Sequence, residues 1–504
     1  MNQGPGDGDQ GPRSGRRRRK LALGLLLLLL SVIGAAHVAE LRPGHPWGDD
    51  FAMYILHARN LVERLPYAKT GYIFDTHSPE TGPAAYPPLC PLLLAPVYAR
   101  FGLDFVALKG VSVGCFLVFL LGVGLGFRRT LPRPALLALV VLLGLNHFFL
   151  RDTNTVNSDE PLLAFLYLCL FLIGQLRDAD ATRRRTVLAI GVGLSAYLAY
   201  AARTVGVLLI PAILIDDLLN TRRIRRATLL AIAVFALLAV VQGLCFPDQR
   251  DYLATMTVGP ATLARHAAWY AQRLAAFWSN GYCQPAAAGL AASVMLLAML
   301  GYWRRLRGKP TVYEIFAPLY FATILLWPAY GGERLLYPIL PLWLFYALAG
   351  LQDPLLTARP RLRRAVIAGL LPAVAATYVA CWTRADDVRA AEGIGQPNAA
   401  ALFRYIAGQT QSSDVIVFVK PRALALLAGR RASTYHQVRE DRQLWDYFRS
   451  IDARYVVAVE RDRAIGPTVP AALLEFLRGF LARHRSRFDE VYRNDDFAVY
   501  RIRD

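Results

Sequence analysis

The sequence predicts a polytopic α-helical membrane protein with a small C-terminal α/β domain. Two observations lead to this fold class. The 504-residue chain is 55% hydrophobic, has a mean hydropathy of +0.32 and gathers its apolar residues in long runs, unlike a soluble globular protein. Residues 384–504 instead alternate short apolar runs with amphipathic stretches, which is typical of strands and helices that share one core.

Eleven apolar stretches have roughly the length that a bilayer crossing needs, about 20 residues with a lower limit near 17. We therefore assign residues 21–383 to a transmembrane domain. The predicted spans are Leu21–Ala39, Phe105–Phe127, Ala135–Leu150, Pro161–Leu176, Thr186–Ala202, Thr204–Leu219, Ala227–Phe246, Pro285–Trp303, Val312–Trp327, Leu335–Leu351 and Ala365–Thr383.

Basic residues mark every second connection between these spans. Clusters such as Arg16–Lys20, Arg183–Arg185 and Arg222–Arg226 alternate with longer connections that are poor in Lys and Arg. By the positive-inside rule the N-terminus is cytoplasmic, and an odd number of spans places the C-terminus outside. The formal charge of +20 is thus a topology signal and does not indicate nucleic-acid binding. Residues 1–20 are predicted to be a disordered basic arm held against anionic lipids.

The first outer loop, residues 40–104, contains an amphipathic helix and a proline-rich element. The helix is predicted to lie along the membrane surface, with one face in the lipid interface and the other towards a cavity. Tyr86 opens an apolar segment with four prolines, which favours a juxtamembrane or re-entrant element. The apolar stripe of the helix is Phe51, Ile55, Ala58 and Val62, and the polar stripe is Asp50, Tyr54 and His57.

Residues 384–504 are predicted to form an α/β domain outside the membrane. The layout resembles that of nucleotide-binding domains, but no glycine-rich phosphate loop is present. Cys245 and Cys283 bracket another outer loop, where they form a disulfide or remain two unpaired small residues. The predicted strands are 414–420, 454–460 and a strand or hairpin at 490–503, and the predicted helices are 421–429, 441–451 and 470–484.

Charged residues cluster at the outer rim of the predicted bundle, where charge is costly and therefore indicates function. They lie in the first loop, in the second loop, between the fifth and sixth spans, and after the ninth. All face one compartment in the predicted topology and are therefore able to converge. The groups are Asp49 and Asp50; Arg151, Asp152, Asp159 and Glu160; Arg203; and Glu333 and Arg334.

This set of acids and arginines suits transfer from a lipid-linked phosphate. A carboxylate takes the proton of an acceptor hydroxyl, while arginine forks bind the phosphate and stabilise the departing charge. Structural alternatives exist for each residue. Asp49, Asp50, Asp159 and Glu160 stand where they would cap helices, Arg203 and Arg334 are placed to snorkel to the interface, and His57 and His77 are expected to be surface histidines.

These residues resemble a known family. Asp50-Phe-Ala-Met-Tyr54 after a first span is similar to the Asp-x-x-x-Tyr pattern of glycosyltransferases of the C fold class, in the branch of protein O-mannosyltransferases and lipid A aminoarabinose transferases. Tyr86-Pro-Pro88, the acidic pair Asp159-Glu160 and Arg334-Leu-Leu-Tyr-Pro338 agree in order and sidedness. The resemblance covers about Leu21 to Gly350. Departing from the family's usual Asp-Glu pair, this chain has Asp49-Asp50.

The resemblance implies an inverting transfer of one sugar from a polyprenyl-phosphate donor to a lipid, glycan or protein acceptor at the plasma membrane of a bacterial cell. Asp50 is then the base and Asp159 a second acid that orients the acceptor or helps bind a metal. Arg334 with Arg203 or Arg151 grips the phosphate. The remaining substrate-binding candidates are Tyr54, Tyr86, Asp49 and Glu160. A divalent cation such as Mg²⁺ or Mn²⁺ is allowed but not required.

Two other classes of protein remain as alternatives. A transporter or flippase would show internal repeats and charges in mid-membrane, whereas the intramembrane acids, Asp216, Asp217 and Glu314, lie near predicted cytoplasmic ends. A non-catalytic assembly protein would tolerate the loss of Asp50, and an enzyme would not.

Overall fold

A computed structural model of the chain describes residues 12–78, 81–246, 259–279, 284–327, 332–389, 393–466 and 469–503. Sixteen α-helices precede residue 390 in these ranges. They are α1 (Pro12–Ala39), α2 (Asp50–Glu63), α3 (Leu89–Phe101), α4 (Phe105–Phe127), α5 (Arg133–Gly144), α6 (His147–Thr153), α7 (Asp159–Arg177), α8 (Thr182–Ala202), α9 (Leu209–Thr221), α10 (Arg226–Cys245), α11 (Pro260–Ala276), α12 (Gln284–Arg307), α13 (Val312–Leu325), α14 (Leu340–Gly350), α15 (Pro354–Thr357) and α16 (Pro360–Arg389).

The helices form a polytopic membrane protein. Seven of those in the described ranges are long and apolar enough to cross a membrane, or eight if α5 and α6, which meet at 52°, make one broken span. The predicted span Ala135–Leu150 is therefore not one straight helix, because the chain bends between Gly144 and His147. Three further predicted spans coincide with shorter apolar helices, α1 from Leu23, α13 and α14, so the count of eleven stays a prediction.

The rest of the chain forms a mixed sheet with helices on its faces. The strands are β1 (Tyr72–Ile73), β2 (Val415–Val417), β3 (Arg431–Ser433), β4 (Ala453–Val459), β5 (Phe488–Arg493) and β6 (Phe497–Ile502), and the helices are α17 (Pro397–Gln409), α18 (Pro421–Ala428), α19 (Asp441–Ser450) and α20 (Ala471–Arg483). The strand order is β1-β3-β2-β4-β6-β5. The first four strands are parallel, and β6 and β5 form an antiparallel hairpin at the edge.

The first loop and the C-terminal region share one hydrophobic core. Strand β1 belongs to the first loop, yet it pairs with β3, with Tyr72 opposite Ala432. Trp47 packs in the same core, with its ring 5.9 Å from that of Phe403 and 6.1 Å from that of Phe418. A second core fills the helical bundle around residues such as Phe119. The sheet is therefore not built from residues 384–504 alone.

Helix α2 does not lie against lipid, contrary to the prediction. It is buried on nearly every side, its residues from Phe51 to Ala58 included, because α3 and α18 pack against it. The helix ends at Arg64, which takes a left-handed φ of 57°. The amide group of Asn60 fixes the following turn by donating to the carbonyls of Pro66, Tyr67 and Lys69.

Two other predictions concern the chain ends and the cysteines. Helix α1 begins at Pro12, so the second half of the arm predicted to be disordered is helical, and residues 1–11 lie outside the described ranges. Cys283 also lies outside them. The disulfide between Cys245 and Cys283 therefore stays a prediction.

Candidate active site

Asp50 begins helix α2 and is the partly exposed carboxylate of the site. Its side chain is 40% exposed. The Oδ1 atom accepts a hydrogen bond from the Tyr86 hydroxyl at 2.6 Å and another from Arg422 Nη1 at 3.2 Å. The Oδ2 atom faces Arg334 Nη1 at 3.7 Å. One oxygen is thus held by the protein, and the other remains open to a ligand.

The polar stripe predicted on α2 converges on one residue, Tyr86. Asp50 accepts from its hydroxyl, the ring of Tyr54 lies 4.9 Å from its ring, and His57 Nε2 accepts from its backbone N–H at 3.3 Å. His57 is fully buried, so the prediction of a surface histidine was wrong. Burial lowers the pKa of His57 to about 4, and the neutral ring donates through Nδ1 to the carbonyl of Tyr67. The stripe therefore positions the proline-rich element beside Asp50.

Arg422 enters the site from the C-terminal region. It is the second residue of α18, its side chain is 0% exposed, and its Nη1 donates to the Tyr86 hydroxyl at 2.9 Å as well as to Asp50. Its guanidinium lies over the rings of Tyr72 and Tyr86 and donates to the carbonyl of Thr81. The C-terminal region thus supplies a cation that binds both Asp50 and Tyr86.

Gly82 makes room for this contact. Its φ is +98°, and a Cβ there would collide with the Arg422 guanidinium and lie 2.8 Å from the Tyr86 hydroxyl oxygen. Only glycine adopts this conformation at no steric cost. The segment between β1 and α3 is therefore shaped to admit the arginine.

Asp159, at the start of α7, is the buried carboxylate of the site. Its side chain is only 4% exposed. One oxygen accepts from Arg203, and the other accepts from Arg334 Nε at 2.6 Å. A helix-capping role was the structural alternative, but the Asp159 carboxylate accepts from these two arginines, and the first N–H of α7 donates to Asn157 Oδ1 at 2.7 Å instead. Asp159 instead holds two arginines in place.

Arg334 joins the two carboxylates. It lies in a short 3-10 helix, Gly332–Leu336, and its guanidinium contacts Asp159 through Nε and Nη2 and faces Asp50 through Nη1. Arg203 and Arg334 both keep about a third of their side chains exposed, so neither simply snorkels. Each retains surface that can meet an anion.

Two predicted site residues occupy other environments. Arg151 pairs with Asp152 at 2.7 Å, and Asp152 also accepts from the Tyr337 hydroxyl at 2.5 Å; Arg151 touches neither Asp50 nor Asp159. Glu160 is 0% exposed, and neither of its carboxyl oxygens has a hydrogen-bond partner among the described residues. Glu160 is thus buried away from the surface, and its predicted part in substrate binding stays a prediction.

Asp49 caps a helix, but not the helix that the sequence indicated. Its side chain forms no cap bond to α2 and instead accepts from the backbone N–H of Ala423, in the first turn of α18, at 3.1 Å. A carboxylate at a helix N-terminus is favourable. Asp49 thereby fastens α18, and with it Arg422, to the first loop.

The electrostatics of the first-loop pair differ between its members. Burial raises the pKa of Asp49, and Arg422 only partly opposes the shift. For Asp50, burial acts in the same direction, but Arg334, Arg422 and the Tyr86 hydroxyl outweigh it and lower the pKa. Lys420, buried beside them, has a pKa lowered chiefly by burial. Asp50 is thus the carboxylate that the surrounding cations keep ionised.

The residues around Asp50 and Asp159 do not fit the divalent cation that the sequence allowed. Arginines already occupy both oxygens of Asp159 and flank both oxygens of Asp50, so the positive charge comes from guanidinium groups. Within the described ranges, the group of three side chains with metal-ligating atoms lies elsewhere, at Asp75, His77 and His436.

Sequence reasoning missed Arg422, which reaches Asp50 across 372 positions of sequence. One sign was available: residues 421–428 form an apolar helix whose only charged residue is Arg422. A cavity of about 360 Å³ lies apart from this site. It is lined by Arg454, Arg501 and Arg503 with Asp414 and Asp489, and it includes no residue of the Asp50 cluster.

No family model matches the sequence, and no curated protein matches it. Solved structures do match. ArnT from Cupriavidus metallidurans in the apo state has a TM-score of 0.61 at 13% identity, over 95% of this chain and 98% of that chain. The oligosaccharyltransferase AglB from Archaeoglobus fulgidus, in complex with an inhibitory peptide and a dolichol-phosphate, has a TM-score of 0.57 at 13% identity, over 86% and 69%.

The chain has the fold of the C-type glycosyltransferases. ArnT bound to undecaprenyl phosphate gives a TM-score of 0.58 at 14% identity. The mycobacterial arabinofuranosyltransferase AftD gives 0.57 at 14% identity, over 94% of this chain and 40% of that one. The fold that the resemblance implied is therefore confirmed across almost the whole length of the chain.

Proposed function

We propose that this protein is an integral-membrane glycosyltransferase that moves one sugar from a polyprenyl-phosphate donor to an acceptor hydroxyl. The observation that carries the proposal is the cluster in which Asp50 keeps one oxygen open beside Arg334 and Arg203. Neighbours with the same fold have been solved with undecaprenyl phosphate and with a dolichol-phosphate, which supports a lipid-phosphate donor.

Each residue has a defined part in the proposed reaction. The Oδ2 atom of Asp50 takes the acceptor proton as the acceptor oxygen attacks the anomeric carbon from the face opposite the phosphate, which inverts that carbon. The bond between the anomeric carbon and the phosphate oxygen breaks, and polyprenyl phosphate leaves as an anion. Arg334 and Arg203 stabilise that anion, while Asp159, Arg422 and Tyr86 hold the reacting groups in position.

The remaining features of the proposal are those that the sequence analysis predicts. The reaction takes place on the outer face of a plasma membrane, with the N-terminus cytoplasmic and about eleven spans. Residues 384–504 lie outside the membrane and close the site through Arg422. Tyr54 lines the site through its contact with Tyr86. Arg151 is 46% exposed and binds the donor at a position outside the Asp50 cluster. The moving sugar is a hexose or a pentose.

The transporter class is disfavoured by the pairing of the buried acids. Asp217 is bound by Arg225, and Glu314 by Arg305, at the end of the bundle away from Asp50, and such local pairs do not line a pathway through the membrane. The neighbours named above are transferases.

The test uses the purified full-length protein in liposomes with polyprenyl-phosphate sugars labelled in the sugar. We expect the label to leave the donor lipid in step with release of free polyprenyl phosphate when an acceptor-containing lipid extract is supplied. A transporter would instead move the intact donor between leaflets without cleaving it. Movement of intact donor with no release of polyprenyl phosphate, across hexosyl and pentosyl donors, would contradict the proposal.

A further inference from the structure

Three side chains with metal-ligating atoms converge at one edge of the mixed sheet, outside the Asp50 cluster. They are Asp75, His77 and His436, and their ligand atoms all lie within 4.8 Å of one another. The sheet explains the convergence. Strands β1 and β3 are parallel neighbours with Ile73 opposite Ser433. Their carboxyl ends therefore lie side by side, and Asp75 and His436 follow shortly after them.

Each of the two histidines contacts a different oxygen of the same carboxylate. His77 Nδ1 lies 3.2 Å from Asp75 Oδ1, and His436 Nδ1 lies 2.7 Å from Asp75 Oδ2. The two imidazole rings stack with their centroids 4.6 Å apart. The Tyr447 ring makes a T-shaped contact with the His436 ring, with centroids 5.4 Å apart, and its hydroxyl forms a 2.6 Å hydrogen bond with Ser433. The ligand atoms are thus held by ordered neighbours, as in built metal sites.

The charge at this edge is not balanced by a basic side chain. The carboxylate of Asp75 is 0% exposed, and no Lys or Arg in the described part of the chain forms an ion pair with it. A buried carboxylate is costly unless a cation accompanies it. His77, by contrast, is 65% exposed, which leaves a route by which an ion enters and a position for a water ligand.

We propose that Asp75, His77 and His436 bind one Zn²⁺ ion, with a fourth position open to water. Two imidazole nitrogens and one carboxylate oxygen are ligands that zinc accepts in tetrahedral geometry. Mg²⁺ and Ca²⁺ prefer sites built wholly from oxygen atoms. Small shifts of the exposed His77 bring the three ligand atoms to bonding distance from one ion.

The ion would fasten the first loop to the C-terminal region. Asp75 and His77 belong to the loop, while His436 follows β3. Beyond His77, the same loop carries the Thr81 carbonyl that accepts from Arg422 and the Tyr86 hydroxyl that donates to Asp50. A zinc ion at the sheet edge thus stabilises the arrangement in which Arg422 reaches the site, without touching the reacting groups.

The experiment titrates metal into the purified full-length protein, prepared with an affinity tag that contains no histidine and stripped of metal by chelation. Calorimetry with Zn²⁺ and visible absorption with Co²⁺ report stoichiometry and geometry. We expect one equivalent of Zn²⁺, intense absorption typical of four-coordinate Co²⁺, and binding at least about tenfold weaker in His77→Ala. Zinc should raise the melting temperature of the wild type and not that of the variant.

The matched control is His484→Ala. His484 also forms an imidazole–carboxylate pair, 2.8 Å from Asp441, but it has no second histidine beside it among the described residues. The control should bind zinc as the wild type does. Absence of zinc binding in the wild type, or equal binding by wild type and His77→Ala, would overturn the proposal and leave a hydrogen-bonded Asp–His cluster. Because His77 is exposed, its replacement is compatible with folding.

Discussion

Carboxylate–arginine clusters lie at both ends of the helical bundle, and they are built differently. At the end of the bundle where α7 begins, Arg422 contacts Asp50 across 372 positions of sequence, and Arg334 contacts Asp159 across 175. At the other end, Arg225 binds Asp217 across eight positions and Arg305 binds Glu314 across nine. The first cluster assembles distant segments, and the second closes local turns.

The two clusters also differ in whether a carboxylate oxygen remains accessible to a ligand. Glu314 accepts from Arg305 and from both the backbone N–H and the hydroxyl of Thr311, and Asp217 is likewise satisfied by Arg225. Both acids are fully buried. Asp50 keeps one oxygen accessible beside two guanidinium groups. Local, saturated pairs stabilise a fold, whereas a long-range cluster with an open oxygen can act on a ligand.

Removing one arginine from each cluster should show the largest difference. Arg422→Ala removes the buried guanidinium beside Asp49 and Asp50 and leaves Arg334 as the arginine that faces Asp50, so we expect a loss of about 3–5 kcal/mol in stability together with a fall in transfer rate of at least about 100-fold. Thermal unfolding in detergent and a transfer assay on the folded fraction measure the two effects.

The comparison variant is Arg225→Ala, at the opposite end. It should lower stability as well, because it strips a buried carboxylate of its partner, yet the transfer rate of its folded fraction should stay near that of the wild type. Equal losses of rate in both variants would mean that the clusters do not differ in function.

Arg334→Gln should give the next largest effect. The variant removes the group that joins Asp159 to Asp50 and that we propose to meet the donor phosphate, so the transfer rate should fall by about 100-fold, with a weaker apparent affinity for the donor. Steady-state kinetics with varied donor measure both. Arg305→Gln, which breaks a pair at the other end, serves as control, and a matching defect there would count against the assignment.

The pH dependence of the transfer rate should show how strongly Arg334 acts on Asp50. Because Arg334 and Arg422 lower the pKa of Asp50, the base is lost only when the pH falls below the ordinary value for aspartate, about 3.9. In Arg334→Gln one favourable charge is gone, so the pKa of Asp50 rises and the acid limb of the rate profile should move to higher pH. An acid limb that stays in place, or that moves to lower pH, would contradict this account.

Tyr86→Phe should produce the smallest effect. It deletes the 2.6 Å hydrogen bond to Asp50 and leaves the ring contact with Tyr54, so we expect a fall in rate of up to about tenfold, equivalent to a net hydrogen bond of about 0.5–1.5 kcal/mol. A rate equal to that of the wild type would show that Arg422 alone orients Asp50.

The helices and strands were largely predictable, because hydrophobic runs and short alternating segments mark them locally. The predicted strand 454–460 is β4, and the predicted hairpin at 490–503 is β5 and β6. The grouping of Asp50, Tyr54 and His57 on one face of α2 follows from helical spacing alone and is confirmed by their common contact with Tyr86.

The burial of α2 and the role of Arg422 were not predictable in the same way. Both depend on a C-terminal helix that packs on the first loop, and no local pattern records a partner 372 positions away. The same cause explains Asp49, which sits at the start of α2 but caps α18. Sequence periodicity tells which face of a helix is apolar, and it does not tell whether lipid or protein covers that face.

The most direct test of the central claim is the transfer rate of Asp50→Asn, measured in liposomes with a polyprenyl-phosphate sugar donor and with folding confirmed. The matched control is Asp178→Asn, since Asp178 is also a partly exposed aspartate paired with an arginine, Arg129. We predict a fall of about 100- to 10,000-fold for Asp50→Asn and a rate near that of the wild type for Asp178→Asn. An undiminished rate in Asp50→Asn would show that Asp50 is not the base.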